Sequence, residues 1–100
     1  MPLEIEYARA ARIDLYEIWY FIAADNRRAA DNLIRRFEAI FRNLAANPQI
    51  GRLREELGRD VRSFPHGRYL VFYQIQGDLL VVLRVLSAYR DISAQSFPDR

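Results

Sequence analysis

The chain has 100 residues, 51% of them hydrophobic, no cysteine and a formal net charge of +2 at pH 7. This length predicts one small domain over residues 1–100, and the composition is that of a globular protein rather than a disordered or fibrous chain. No disulfide, thiolate nucleophile or cysteine-based zinc site is possible. No apolar run approaches the ~20 residues of a membrane span, so we expect a cytoplasmic protein with no membrane partner.

All fifteen basic residues are arginine, and they are unevenly distributed against the acidic ones. Residues 1–50 are balanced, whereas residues 59–90 hold five arginines and two aspartates and therefore a net charge of +3. Coding bias is one explanation for the missing lysines. An arginine-rich interface is the other, because guanidinium groups form planar, forked contacts with carboxylates and phosphates. Any anion-binding site is expected in the second half of the chain.

The first half predicts a short strand followed by two helices. Residues 3–7 alternate between apolar and polar side chains, and residues 8–24 place apolar side chains at helical spacing. Asp25 or Asn26 can cap a second helix, which ends at Asn47 because the residue before a proline avoids helical backbone angles. Two helices joined by so short a connection form an antiparallel hairpin.

The second half predicts a three-stranded antiparallel meander. Residues 49–59 form a polar loop with one helical turn, and Asp91 is expected to cap a last short helix before a loose tail from Gln95. The strands are 61–65, 68–75 and 79–88, with two-residue turns at His66-Gly67 and Gln76-Gly77. The fold class is thus α+β, in the order β-α-α-β-β-β, with the helix hairpin packed on an antiparallel sheet.

These turns give the two faces of the sheet different compositions. The face predicted to carry the helices is apolar, with Val61, Leu70, Phe72, Leu79, Val81, Leu83 and Val85. The other face mixes aromatic rings and arginines with aliphatic side chains, and exposed surface of that kind marks a partner site. It holds Arg62, Phe64, Tyr69, Val71, Tyr73, Leu80, Val82 and Arg84. The alternative to a partner site is that the first strand or residues 49–59 fold over this second face. A one-residue shift in strand register would exchange the side chains of the two faces.

The sequence gives little support for a nucleophilic triad, a metal site or a phosphate-binding loop. Ser63 and the single histidine, His66, share one hairpin, which disfavours a nucleophilic triad because its groups must converge. One histidine with scattered carboxylates predicts no metal site, and the four dispersed glycines form no phosphate loop, so we expect no cofactor. Metal-free RNA cleavage stays open, since arginines can stabilise a pentavalent phosphate while a tyrosine or histidine moves protons.

Three stretches carry a family resemblance: DLYEIWYFIAADNRRAADNLI at 14–34, LAANPQIGRLREELGRDVRSFPHGRYLVFYQI at 44–75 and VVLRVLSAYRDI at 81–92. In order and spacing they resemble the ParE-like branch of the RelE/ParE superfamily of bacterial toxins, over nearly the whole chain. The resemblance implies the toxin of a type II toxin–antitoxin module with the element order given above. It also implies a ParD-like antitoxin with a DNA-binding N-terminal half, so that DNA contact comes mainly from the antitoxin.

The resemblance also implies an occupant for the mixed sheet face. The C-terminal segment of the antitoxin, disordered when alone and often acidic, would wrap the toxin, bury apolar side chains and pair its carboxylates with arginines. Tyr16 and Tyr20 on the first helix would join this surface, unless they pack on the second helix instead. The expected antitoxin contacts on the sheet are Arg62, Phe64, Tyr69, Val71, Tyr73 and Arg84.

The target of the toxin differs between the two branches of the superfamily. ParE-type toxins poison DNA gyrase, whereas RelE-type toxins cleave mRNA in the ribosome with a basic cluster and a tyrosine. Because the lysines of the RelE pattern are missing here, gyrase inhibition is the first interpretation, with Arg90, Asp91 and Phe97 as expected contacts. The alternatives are RNA cleavage by Arg62, Arg84 and Tyr89, or an inactive toxin that only binds its antitoxin.

Overall fold

Two helices pack on one face of a five-stranded mixed sheet in the computed structural model, which describes residues 1–97. The strands are β1 (Glu4–Tyr7), β2 (Arg52–Leu53), β3 (Arg62–His66), β4 (Tyr69–Gln76) and β5 (Leu79–Ser87), and the helices are α1 (Arg9–Ala23) and α2 (Arg27–Ala46). The sheet order is β1-β5-β4-β3-β2, with β1 parallel to β5 and the other pairs antiparallel. The predicted α+β fold is confirmed, and β2 is a strand that the sequence analysis missed. Neither α1 nor α2 combines the length and apolar character needed to cross a membrane.

Helix α2 is strongly amphipathic, and Asn26 sets where it begins. The Asn26 Oδ1 atom accepts a hydrogen bond from the Ala29 N–H at 3.0 Å, which satisfies one of the free amides of the first turn. Asn26, rather than Asp25, is therefore the cap. The buried side chains of α2 lie on one side of the helix and form one wall of the core. They are Ala30, Phe37, Phe41, Leu44 and Ala45.

Both hairpin turns lie one residue later than the sequence predicted. Gly67 and Gly77 have φ angles of +57° and +58° and occupy the first of the two turn positions, as a type II′ turn requires. The predicted register is consequently wrong by two residues, since Phe64 lies opposite Val71 rather than Tyr69. Because the period of a strand is two residues, this shift alone leaves the side chains on the same faces.

A β-bulge interrupts the pairing of β4 with β5. Tyr73 lies opposite Val82, but the adjacent Phe72 lies opposite Arg84, so Leu83 is the additional residue of the bulge. Beyond it, Val85 joins Val82 in the core beneath the helices. The sequence analysis placed Arg84 on the same sheet face as Val82. Because of the bulge, Arg84 instead pairs with Phe72, whose side chain lies on the opposite face from that of Tyr73.

The helices cover the sheet face that the sequence analysis left free for a partner, so the predicted assignment of the two faces is wrong. The sheet residues Val71, Tyr73, Leu80 and Val82 are fully buried there. They form one core with Ala11 of α1 and with Phe37, Phe41 and Leu44 of α2. Phe64 and Tyr69 are partly buried against the same core.

The opposite sheet face is covered by chain segments instead of helices. A 3-10 turn at Glu55–Leu57 and another at Ala94–Ser96 bring Leu57 and Phe97 onto this face. The Phe97 ring meets the Phe72 ring edge-on, with 5.1 Å between centroids. The predicted helical turn near residue 55 is confirmed, but the expected loose tail is wrong as far as residue 97, and the rest of that tail lies outside the described residues. Ser93, not Asp91, caps the last turn.

Candidate interaction surface

Arg84, which the sequence suggested for antitoxin binding or RNA cleavage, is partly buried and bound to Asp14 of α1. Its Nε and Nη2 atoms donate to the two carboxylate oxygens at 2.8 and 2.7 Å, and its Nη1 donates to the Ser96 carbonyl oxygen at 2.6 Å. Asp14 also accepts the Val85 N–H at 3.0 Å, where β5 continues beyond its pairing with β1. The hydrogen bonds that Arg84 donates to Asp14 raise the pKa of Arg84. Arg84 thus ties α1, β5 and the C-terminal turn together.

Arg62 and Tyr73 hold the loop that precedes β2. Arg62 Nη1 donates to the Gly51 carbonyl oxygen at 2.8 Å, and the Tyr73 hydroxyl accepts the Gly51 N–H at 2.9 Å. The same hydroxyl donates to the Pro48 carbonyl oxygen at 2.8 Å. A Cβ atom on Gly51 would collide with this hydroxyl, so the loop needs glycine there. Burial raises the pKa of Tyr73, although the hydrogen bond from Gly51 opposes the shift.

Ser63 and His66, which the sequence analysis disfavoured as a catalytic pair, do not converge. Three residues apart on one strand, the two side chains lie on opposite faces of the sheet. Ser63 Oγ accepts a hydrogen bond from Arg54 at 3.3 Å, whereas the His66 ring packs edge-on against Phe37 at 5.7 Å. Within residues 1–97 there is no group of three His, Asp or Glu side chains that could hold a metal ion.

Large exposed side chains line the outer side of α1. Tyr16, Tyr20 and Phe21 are 62%, 63% and 81% exposed, and Ile13 is 46% exposed one turn earlier. The rings of Tyr16 and Tyr20 lie 6.0 Å apart and are mostly exposed, so they are not buried against α2 as the alternative required. We call Ile13, Tyr16, Tyr20 and Phe21 the α1 ridge. Contiguous exposed surface rich in tyrosine is typical of protein interfaces.

A cleft of about 240 Å³ opens where α1 meets the ends of β4 and β5. Ile18 and Phe21 of α1 and Tyr69 of β4 line it, together with the exposed residues Glu17 and Arg90. Since Phe21 belongs to both features, the α1 ridge and the cleft form one continuous surface. Arg90 takes part in no ion pair with the other residues that the structure describes.

The residues after β5 lie next to this cleft. Tyr89 is 85% exposed, and Arg90 and Asp91 are also exposed. Phe97 is only 8% exposed and packs on Phe72, so in this structure it offers no surface to a target. Four of the residues predicted for target or partner contact lie on or beside this surface: Tyr16, Tyr20, Tyr69 and Arg90.

Two features of this surface escaped the sequence analysis, although signals for both were present. Asp14 occupies a position in the apolar stripe of α1 between Ala11 and Ile18, and an acidic residue within such a stripe indicates a buried partner. Tyr20 and Phe21 are adjacent, and two consecutive helical residues cannot both lie in the centre of a narrow buried stripe. At least one of these rings had to be exposed.

Comparison with known proteins identifies the family. Residues 5–92 match the model of a family described as the ParE toxin of the type II toxin–antitoxin system, parDE. Toxin ParE3 of Caulobacter vibrioides is 30% identical over 83 residues, which cover 82% of this chain and 83% of that protein.

Solved structures show the same architecture. A chain of the chromosomal ParDE toxin–antitoxin system from P. aeruginosa superposes with a TM-score of 0.70 at 19% identity, covering 85% of this chain and 95% of that one. A chain of the toxin–antitoxin complex RelBE2 from Mycobacterium tuberculosis superposes with a TM-score of 0.63 at 26% identity, covering 87% and 99%. With the match of residues 5–92 to the family model, these similarities lead to one conclusion: the chain belongs to the ParE toxin family of type II toxin–antitoxin systems.

Proposed function

We propose that this protein inhibits DNA gyrase by binding to it, and that a ParD-like antitoxin keeps it inactive. Family membership supports this proposal, because the matching model describes the toxin of a parDE system. The proposed gyrase contact is the exposed stretch at residues 89–91, where Arg90 and Asp91 supply charge and Tyr89 supplies an exposed ring.

Arg62 and Arg84 are already hydrogen-bonded within the protein, and this observation favours binding to gyrase over RNA cleavage. A nuclease of this type would need arginines free to stabilise the developing charge on a phosphate. Arg84 is instead bidentate to Asp14, and Arg62 donates to backbone carbonyl groups of the loop before β2. Tyr89 alone of the three candidate catalytic residues is freely exposed.

Two of the similar structures support an antitoxin partner, because one comes from a ParDE toxin–antitoxin system and the other is the RelBE2 toxin–antitoxin complex. We place the antitoxin contact on the α1 ridge, where Tyr16 and Tyr20 are exposed. DNA contact is assigned mainly to the antitoxin, since a net charge of +2 on this chain is small for a protein that must neutralise several phosphates.

A supercoiling assay tests the proposed activity. Toxin freed from its antitoxin is added to gyrase, relaxed plasmid and ATP, and the expected result is loss of supercoiling with accumulation of linear, enzyme-linked plasmid. Arg90→Ala should require about tenfold more protein for the same inhibition, a loss typical of an important interface side chain. Arg52→Ala removes an exposed arginine from β2, at the opposite edge of the sheet, and should inhibit like the wild type.

The same preparation is also added to ribosomes translating a defined mRNA. Folded toxin that leaves supercoiling intact and produces no linear plasmid contradicts the proposal. Cleavage of the mRNA by the wild type, abolished in Arg62→Ala, would establish the nuclease alternative in its place.

A further inference from the structure

Helix α2 carries a positive charge that the small net charge of the chain conceals. It holds five arginines and two acidic residues, which give a net charge of +3. Residues 1–26 hold two arginines and five acidic residues, which give a net charge of −3. The first half of the chain therefore contains a strongly basic surface, although its overall charge is zero.

Three of these arginines form a line on the outer face of α2. Arg28, Arg35 and Arg42 follow one another at intervals of seven residues, close to two helical turns, so they lie about 10.5 Å apart over roughly 21 Å of helix. All three are exposed, and the helical period places them opposite the side that buries Phe37 and Phe41. We call Arg28, Arg35 and Arg42 the α2 arginine stripe.

No carboxylate within residues 1–97 forms an ion pair with the α2 arginine stripe. Of the two acidic residues of α2, Asp31 accepts a hydrogen bond from the Trp19 Nε1 atom at 2.8 Å, and Glu38 lines a cleft between α1 and α2. Arg35 donates to the Asn32 Oδ1 atom at 3.0 Å with one of its nitrogens. Because a guanidinium carries five N–H donors, each arginine of the stripe keeps donors for an outside partner.

We propose that the α2 arginine stripe binds the phosphate backbone of duplex DNA without reading its sequence. The planar fork of arginine can donate two hydrogen bonds to one phosphate. A duplex also offers the extended row of negative charge that matches a stripe of about 21 Å. The inference goes beyond the proposed function, because it gives the toxin a weak DNA contact of its own on a surface separate from residues 89–91.

The composition of this face favours DNA over an acidic protein segment. Between the arginines it carries short side chains such as Asn32 and Ala39, and both aromatic rings of α2, Phe37 and Phe41, are buried on the other side. Binding energy at protein interfaces concentrates in large aromatic anchors, whereas protein–DNA interfaces are more polar and much more positively charged. The α1 ridge is a surface of the first kind and the α2 arginine stripe is one of the second.

The salt dependence of DNA binding tests the number of phosphate contacts. Full-length toxin, without antitoxin, is titrated into a fluorescein-labelled DNA duplex of arbitrary sequence, and binding is measured by fluorescence anisotropy. Three phosphate contacts predict a slope of about −2.7 for the logarithm of the association constant against the logarithm of salt concentration. The affinity should accordingly fall roughly fortyfold between about 50 and 200 mM salt.

Two triple variants with the same net charge test the position of the contact. The stripe variant changes the whole α2 arginine stripe to alanine, and the control variant combines Arg9→Ala, Arg52→Ala and Arg59→Ala, all at exposed positions outside α2. Both lose three positive charges, from +2 to −1. At about 50 mM salt the stripe variant should bind at least about tenfold more weakly than the wild type, and the control variant should stay within about threefold. Thermal melting curves that match the wild type show that both are folded.

Three results would overturn the inference. Equal losses in the two variants would mean that only overall charge matters, and a wild type that binds no duplex at about 50 mM salt would mean that the stripe binds no DNA. Poly-glutamate that displaces the duplex as well as unlabelled DNA of equal charge does would identify a site for acidic protein instead. Since the assay contains neither gyrase nor antitoxin, its result stands whether or not the toxin inhibits supercoiling.

Discussion

Asp14 and Arg84 are 70 residues apart in the sequence, yet their largely buried side chains share two short hydrogen bonds. Removing two charges from water is costly, and the cost is offset only when nearly every polar atom finds a partner. Here the carboxylate also accepts the Val85 N–H, and the guanidinium also donates to the Ser96 carbonyl oxygen. The ion pair therefore stabilises the fold, and removing either residue leaves polar groups of the other without a partner.

Breaking this pair from one side should be strongly destabilising. We expect Asp14→Ala to lower the free energy of unfolding by about 3 kcal/mol, because it leaves a partly buried guanidinium and the Val85 N–H without an acceptor. Arg84→Ala should lower it by a similar amount, and the double variant Asp14→Leu with Arg84→Met by clearly less than the sum of the two. Urea unfolding measures all three, and additive losses would contradict this account.

Tyr73 should make stability depend on pH in the alkaline range. Burial raises its pKa in the folded protein, whereas the unfolded chain titrates near the ordinary value of about 10. Above that pH the unfolded chain loses the proton that the folded protein keeps, so the stabilisation is complete below pH ~10 and is lost as the pH rises further. Tyr7, whose pKa is also raised by burial, adds to the effect.

Tyr73→Phe should therefore flatten the decline in stability above pH ~10. At neutral pH it should also cost about 1–3 kcal/mol, since the Gly51 N–H loses its acceptor. Chemical unfolding at several pH values measures both effects. Tyr16→Phe, at an exposed position without such a bond, serves as the control and should follow the wild type throughout.

Among the elements, α2 depends on a single side chain for its start. Asn26→Ala removes the acceptor of the Ala29 N–H and should lower the free energy of unfolding by about 1 kcal/mol. Asp25→Ala, at the exposed residue just before the cap, should change it by less than about 0.5 kcal/mol. Equal losses in the two variants, measured by urea unfolding, would show that Asp25 shares the capping role.

The sequence predicted the helices well because their signals are local. Periodic apolar residues, the Asn26 cap and Pro48 define both ends of α2 without reference to the rest of the fold. The hairpin turns were displaced by one residue, because Gly67 and Gly77 suit either position of a two-residue turn until strand pairing selects one. The two-residue strand β2 carries too few residues to show any alternation.

At the scale of the whole molecule, the orientation of the sheet could not be read from composition. Both faces are covered, one by the helices and the other by residues 55–57 and the C-terminal turn, so apolar side chains fill both. The mixture of Tyr73 and Arg62 with aliphatic residues resembled an exposed interface, but these polar atoms bind the loop before β2. Covering both faces also left the α1 ridge as the principal exposed apolar surface of the described chain.

The candidate interaction surface was predictable only in part. Helical periodicity placed Tyr16 and Tyr20 beside the buried stripe of α1, but their exposure depends on where α2 packs. The cleft is assembled from α1, β4 and the residues after β5, which are distant in sequence. Its existence depends on tertiary packing that no local pattern encodes.

The parallel pairing of β1 with β5 has a consequence for synthesis of the protein. Glu4 lies opposite Leu79, so the sheet cannot be completed until most of the chain has left the ribosome. Contacts between distant residues form slowly, and the apolar faces of α2 and β4 stay uncovered in the meantime. We therefore expect the sheet of this toxin to be completed only late in its own translation.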